Sequence, residues 1–272
     1  MKFLKQYDVD SIDNRDPELI EKTSAWINNH WDKYFKSDIR GMDRIRRGAG
    51  LFVGNHNAGG YGPDAYYFLA GMHRVHGYEE VPYGLMHEQL IQIPIQHQIT
   101  VPLGAVRASH DNAHRLFARN SKALVYPGGD LDAYRPYRNR NKIVFGGRTG
   151  YIRLALLERV PIYPLVAAGA HASFIVIDDL QWLARLAPKS LRSKVWPLII
   201  SMPWGLTLGP FILPPIPFPV RFIMEVLEPV TFETYGKAAA ADTAYVRQCA
   251  DKVETAMQQC LDKLAGELKK HN

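Results

Sequence analysis

Between residues 51 and 170, short apolar runs trade places with stretches of helical period. "LFVGNH" (51–56), "ALVYPGGD" (123–130) and "PIYPLVAAGA" (161–170) read as strands, and "QITVPLGAVRA" (98–108) as a strand and turn. "DAYYFLAGMHRVHG" (64–77), "DNAHRLFARNS" (111–121) and "GRTGYIRLALLERV" (147–160) read as helices. Strand and helix taking turns at these lengths predict an α/β fold: a central, mostly parallel sheet flanked by helices. Sites on such sheets gather at the carboxyl ends of the strands. His56 and the "PGGD" turn (127–130) both fall there.

Flanking patterns complete one domain over 1–272: an N-terminal helical region (1–48), an α/β core (49–230) and a C-terminal helix (240–271). Asp16, Pro17 and Glu18 are helix-start residues, and Leu19, Ile20, Trp26, Ile27, Trp31 and Phe35 follow at helical spacing. "IRGMDRIRRG" (39–48) gathers Arg40, Arg44, Arg46 and Arg47; it reads either as a solvated helix face or as a site for lipid headgroups. "RFIMEVLEPV" (221–230) reads as a last strand. Val246, Val253, Met257, Leu261, Leu264 and Leu268 then mark one face of an amphipathic helix.

Residues 195–220 carry no charge, a run long enough to cross a bilayer. Seven prolines and two glycines argue against a spanning helix. A segment at a membrane interface or walling an apolar groove, with Trp196 and Trp204 as anchors, is one reading; a buried irregular connection is the other.

Composition adds less. A net charge of +6, from 33 Lys and Arg against 27 Asp and Glu, suits an anionic partner. No nucleic-acid motif accompanies it and the basic residues are interleaved with acids, so an anionic membrane surface is expected rather than nucleic acid. Two cysteines, Cys249 and Cys260, argue for a reducing compartment over a disulfide framework. The N-terminal residues are polar and lack the apolar core of a signal peptide. "HDNAH" (110–114) spaces two histidines like a zinc-hydrolase helix, but Asp111 stands where glutamate is usual and no third ligand follows, so no metal is expected.

Four blocks in order, "VGNHNAGGYGPD", "PLGAVRAS", "LVYPGGDLDAYR" and "VPIYPLVAAGAH", together resemble the glycerolipid (lysophospholipid) acyltransferase superfamily, and within it the branch of the type-two diacylglycerol acyltransferases. The resemblance spans just under half the chain. It implies transfer of a fatty acyl group from an acyl thioester, acyl-coenzyme A or acyl carrier protein, to a lipid hydroxyl, with no other cofactor. His56 would be the base that takes the acceptor proton, and Asp64 would orient it and stabilise the imidazolium. The family places the aspartate five residues after the histidine; here that position is Tyr61, and the glycine-rich loop must turn Asp64 back toward His56.

The resemblance also implies Arg107, Pro127, Gly128, Gly129, Asp130 and Arg148 as substrate-binding residues, and Gly59 and Gly60 as oxyanion donors. Gly128 replaces the glutamate of phosphate-accepting members, which points to neutral or less usual hydroxyls. Arg135, Arg138, Arg140 and Arg148 remain candidates for binding phosphate of the acceptor or of coenzyme A. The expected setting is the cytoplasmic side of a membrane, with peripheral or monotopic attachment. Alternatives on the same fold are a lysophosphatidate-type acyltransferase, a lipid hydrolase and a catalytically idle lipid-binding protein.

Overall fold

The computed structural model describes residues 5–60, 62–186, 193–210 and 215–270. Its strands are β1 (Asp38–Arg40), β2 (Gly50–Gly54), β3 (Tyr83–Met86), β4 (Ala105–Arg107), β5 (Lys122–Val125), β6 (Ile162–Ala168), β7 (Ile175–Asp178), β8 (Leu198–Ser201), β9 (Gly205–Leu208) and β10 (Ile223–Val226). A seven-stranded sheet runs β1-β10-β6-β2-β5-β3-β4, and β7-β8-β9 form a separate antiparallel sheet. From β6 to β4 every neighbour is parallel; β10 pairs antiparallel with β6 and carries β1 beside it. The mostly parallel sheet read from the sequence is the sheet that forms.

Helices cover both faces: α1 (Pro17–Phe35), α2 (Pro63–His76), α3 (Glu88–Ile91), α4 (Pro94–Thr100), α5 (His110–Ala118), α6 (Gly129–Ala133), α7 (Gly150–Glu158), α8 (Gln181–Ala184), α9 (Lys237–Ala241) and α10 (Thr243–Lys270). Alternation in the central strands sorts the core. Leu51 and Val53 of β2 and Ile162 and Val166 of β6 meet α5, α7 and α10. Phe52, Tyr163 and Leu165 meet α1 and α2 on the other face. The helix after β2, α2, thus lies on one face and α7, which leads from β5 to β6, on the other, an arrangement that opens a crevice at the carboxyl ends of β2 and β5.

Three expectations change. Residues 39–48 are not a helix: Asp38–Arg40 pairs with Ile223–Glu225, and Gly41 (φ +73°) leaves the strand where a Cβ would strike the Val226 carbonyl oxygen at 2.1 Å. Residues 98–100 finish α4, so the strand in that block shrinks to β4. The strand β3, half-buried along its length, joins the sheet between β5 and β4 without an apolar run to announce it.

The uncharged segment forms the hairpin β8–β9. Its inner side packs Val195 and Ile199 on Ala58, Tyr134, Phe174 and Val176, and its outer side exposes Trp204, Leu206 (64%) and Leu208 (57%). It is neither a spanning helix nor a wholly buried connection; residues 211–214 of the segment lie outside the described residues. No described helix is long and apolar enough to cross a membrane.

Candidate active site

Past Gly54 the chain is held to β6 by Asn55, whose amide donates to the Ala167 carbonyl (3.0 Å) and accepts from its N–H (2.8 Å). This two-point clamp extends the β2–β6 register and fixes where His56 leaves the sheet. The absence of a Cβ at Gly54 lets the Tyr126 ring lie across the strand end, where a Cβ would meet it at 2.5 Å. The half-buried His56 ring stacks on that ring at 4.5 Å and 20°. Among the described residues, neither the imidazole nor the buried Tyr126 hydroxyl has a hydrogen-bond partner.

The main chain around His56 is tied down by a buried ion pair. Arg135 (1% exposed) and Asp132 (0%) form it three residues apart. Asp132 Oδ2 accepts the His56 N–H at 2.5 Å; Arg135 donates to the His56 carbonyl at 2.5 Å and to Asn57 Oδ1 at 2.7 Å. Asn57 in turn donates to Asp64 Oδ2 at 2.7 Å. His171, after β6, accepts from the Ala58 N–H through Nδ1 and so carries its proton on Nε2, which donates to the Arg135 carbonyl. Burial, with Arg135 nearby, keeps His171 neutral.

Electrostatics sets the protonation states. Burial, and then Arg135, lowers the His56 pKa to about 4, so the ring is a neutral acceptor at physiological pH. Burial raises Asp64 to about 6 against the pull of Asn57, backbone N–H groups and Arg135. Above that pH the His56 imidazole is neutral and the Asp64 carboxylate, bonded to the neighbouring Asn57, is ionised.

Several expected residues stand differently from the sequence reading. Asp64, in the first turn of α2, bonds to Asn57 and not to the His56 ring; its Oδ1 lies 2.4 Å from where a Cβ at Gly62 would sit. Arg107 belongs to the edge strand β4, three strands from β2, and is engaged by Asp10 (2.5 Å) and Glu88 (3.6 Å). Arg148 folds the third block onto itself, donating to the carbonyls of Pro127 and Gly128 and to Asp130 Oδ1. Gly128 has no room for a side chain, since a Cβ would meet Asp132 Cβ at 2.3 Å, and Gly129 takes φ +50°. Asp130 also accepts the Lys194 N–H (2.6 Å), tying the block to the start of the uncharged segment.

Gly59, at φ +58°, rests against the Tyr134 ring beside Gly60 in the turn Ala58–Gly60. Arg138 pairs with Asp178, and Arg140 lies over the Tyr137 ring. His114 of the two-histidine helix bonds to Glu158. The structure brings together His56, Asp64 and the "PGGD" turn, and adds Tyr126, Asn57, Asp132 and His171, which sequence reasoning missed. An aspartate and arginine three apart in "DAYR" were the one visible signal for the buried pair.

The Acyltransferase family model matches residues 36–168. The chain is 26% identical over 234 residues to an uncharacterized protein of Mycobacterium tuberculosis and 24% identical to one of Mycobacterium leprae. Each match covers 85% of this chain but only 62% and 60% of those proteins, so the chain spans about three fifths of the curated relatives it matches. In fold it is similar to the 1-acyl-sn-glycerophosphate (LPA) acyltransferase PlsC of Thermotoga maritima: TM-score 0.52 at 15% identity, covering 91% of this chain and 79% of that one. The segment matched by the Acyltransferase family model, just under half of the chain, holds His56 at the carboxyl end of β2, and the fold around it is similar to that of PlsC.

Proposed function

We propose that the protein transfers a fatty acyl group from an acyl thioester, of coenzyme A or acyl carrier protein, to the hydroxyl of a lipid acceptor at a membrane surface. The observation that carries this reading is the neutral imidazole of His56, held at the carboxyl end of β2 by anchors on both sides of its peptide plane. The acceptor O–H gives its proton to His56 as the oxygen attacks the thioester carbonyl. The tetrahedral oxyanion rests on backbone N–H groups of the Gly59–Gly60 turn, and the thiolate leaves with the proton, giving ester and free thiol. Asp64 stabilises the transient imidazolium from its place on Asn57, through space.

A neutral acceptor, as in the type-two diacylglycerol branch, is favoured over a phosphorylated lysolipid. Gly128 stands where phosphate-accepting members carry glutamate, and the arginines of the third block are already engaged: Arg135 and Arg148 by carbonyls and carboxylates, Arg138 by Asp178. Attachment to the cytoplasmic face of a membrane is supported by the exposed outer side of β8–β9, Trp204, Leu206 and Leu208, while the buried inner side of the same unit packs on Ala58 next to the His56 turn. The two cysteines are free thiols.

Thiol release from a long-chain acyl-coenzyme A, read with monoacylglycerol, diacylglycerol, lysophospholipids and fatty alcohols, tests the reading. Acceptor-dependent release supports transfer, and release without acceptor identifies a hydrolase. A second reading, an idle lipid-binding protein, is favoured by the Asp64–Asn57 bond; silence with both coenzyme A and carrier-protein thioesters, together with co-purified lipid, would establish it.

A further inference from the structure

At the opposite pole of the sheet lies a cleft of about 530 Å³, formed where β2, β5 and β6 begin and lined by Arg46, Arg47, Asn120, Glu158, Arg159 and Tyr163 among others. The strand β2 separates it from His56, roughly 15 Å at the rise of an extended chain, so it is no extension of the acyl-transfer site. Arg40 and Arg44, which the sequence groups with Arg46 and Arg47, turn away to Glu267, Glu225 and Glu228. Arg46, Arg47 and Arg159 are exposed and form no ion pair among the described residues. The carboxylate lining the cleft, Glu158, is taken by His114 at 2.9 Å.

The loop that presents Arg46 and Arg47 is held more firmly than a solvated loop requires. Lys122, 1% exposed and ion-paired with Glu80, donates to the Gly48 carbonyl at 2.6 Å from the neighbouring strand. Asn120 Oδ1 accepts the Ala49 N–H (3.1 Å), and the Tyr163 hydroxyl accepts the Arg46 N–H (3.3 Å). Gly48, at φ +100°, makes the turn between these anchors. Three separate side chains thus fix the Gly48 carbonyl and the Ala49 and Arg46 N–H groups, so the loop is pre-organised. Tyr163 is itself 1% exposed yet lines the cleft, and its hydroxyl donates to no acceptor among the described residues.

We propose that this cleft binds a phosphate-bearing ligand, a phosphomonoester or pyrophosphate group seated among Arg46, Arg47 and Arg159 with the Tyr163 hydroxyl donating from below. Three guanidinium forks and a hydroxyl are all donors, the complement of a phosphate's acceptor oxygens. The volume admits a metabolite-sized ligand rather than a bare ion. The apolar β8–β9 surface packs at the other pole, against the turn after β2, so a soluble phosphate source is favoured over a lipid headgroup.

Isothermal titration of the full chain with inorganic pyrophosphate at low salt is the test, beside flotation with phosphatidylcholine vesicles containing phosphatidate. Saturable pyrophosphate binding is expected, weakened about tenfold or more by Arg46→Ala with Arg159→Ala, weakened by Tyr163→Phe, and kept in His56→Ala. The circular-dichroism melting curve of the double variant checks that these exposed substitutions leave the fold intact. Vesicle binding lost in the double variant, with pyrophosphate silent, would support the same site with a lipid source. Binding to neither probe, or binding indifferent to the arginines, overturns the proposal.

Discussion

Arg135→Met removes the buried cation on which the His56 turn hangs. Its guanidinium donates to the carbonyls of His56, Asp132 and Arg140 and to the side chains of Asp132 and Asn57, all from a residue 1% exposed. Methionine matches the volume but leaves Asp132, at 0% exposure, as an uncompensated buried carboxylate. Breaking one side of a buried pair costs about 3–5 kcal/mol, a large part of the 5–15 kcal/mol typical of whole domains. Adding Asp132→Leu to Arg135→Met removes the orphan charge and, beyond the bonds Arg135→Met has already lost, gives up only the Asp132 bonds to the N–H groups of His56 and Val144, about 1 kcal/mol each.

Urea unfolding of both single variants and the double therefore yields a coupling energy of about 2 kcal/mol or more, with the double variant more stable than Arg135→Met. The double variant is expected to fold but to turn over slowly, because the His56 peptide has lost both anchors. Additivity of the two substitutions within about 0.5 kcal/mol, or an Arg135→Met cost under about 1 kcal/mol, would refute the claim that the pair holds the site.

Tyr126→Phe deletes a buried hydroxyl that has no partner among the described residues, so thermal unfolding should find it equal to or slightly more stable than the wild type. Tyr126→Leu, which removes the stacked ring, should lower kcat more than it raises KM. Since burial holds His56 at about 4 and Asp64 at about 6, the acid limb of kcat/KM should lie near pH 6 or lower, below the 6.5 of a free imidazole; an acid limb at or above 6.5 would contradict the neutral, desolvated base. A depressed histidine pKa gives stability that is complete above about 6.5 and lost as the pH falls toward 4, whereas the raised Asp64 gives stability that is complete below 3.8 and lost as the pH rises through about 6. The two slopes oppose each other over the same window, so His56→Gln, which keeps only the carboxylate's, should gain stability relative to the wild type as the pH falls from 7 to 4, as chemical denaturation would read. Leu206→Asp with Leu208→Asp should sharply reduce flotation with vesicles while leaving turnover of a detergent-dispersed acceptor largely intact.

The alternation of β2, β6 and their helices was legible because each strand carries its own apolar run, with both faces buried. The half-buried β3 carries none: its place is set by Ala123 and Leu124 of β5 and by Ala105–Arg107 on its other side. The arginine stretch 39–48 misled for the same reason, since β1 exists only against β10 and its arginines answer carboxylates some 180 or more residues away. At the site, His56 stood out in its block, but what orients it did not. Tyr126, Asp132 and His171 come from three other segments, and nothing in the spacing from 56 to 64 reveals that Asn57 intercepts the carboxylate. Likewise the uncharged segment announced an apolar surface but not its form, because its first strand, β8, pairs with β7 about twenty residues upstream.

The most direct test of the central claim is single-turnover ester formation from acyl thioester and lipid acceptor, in the wild type against His56→Ala and His56→Gln, with folding checked by circular dichroism. A general base that has lost its imidazole should slow by about 10²–10⁴, with glutamine no better than alanine. Ester formed at the wild-type rate by either folded variant would contradict the account.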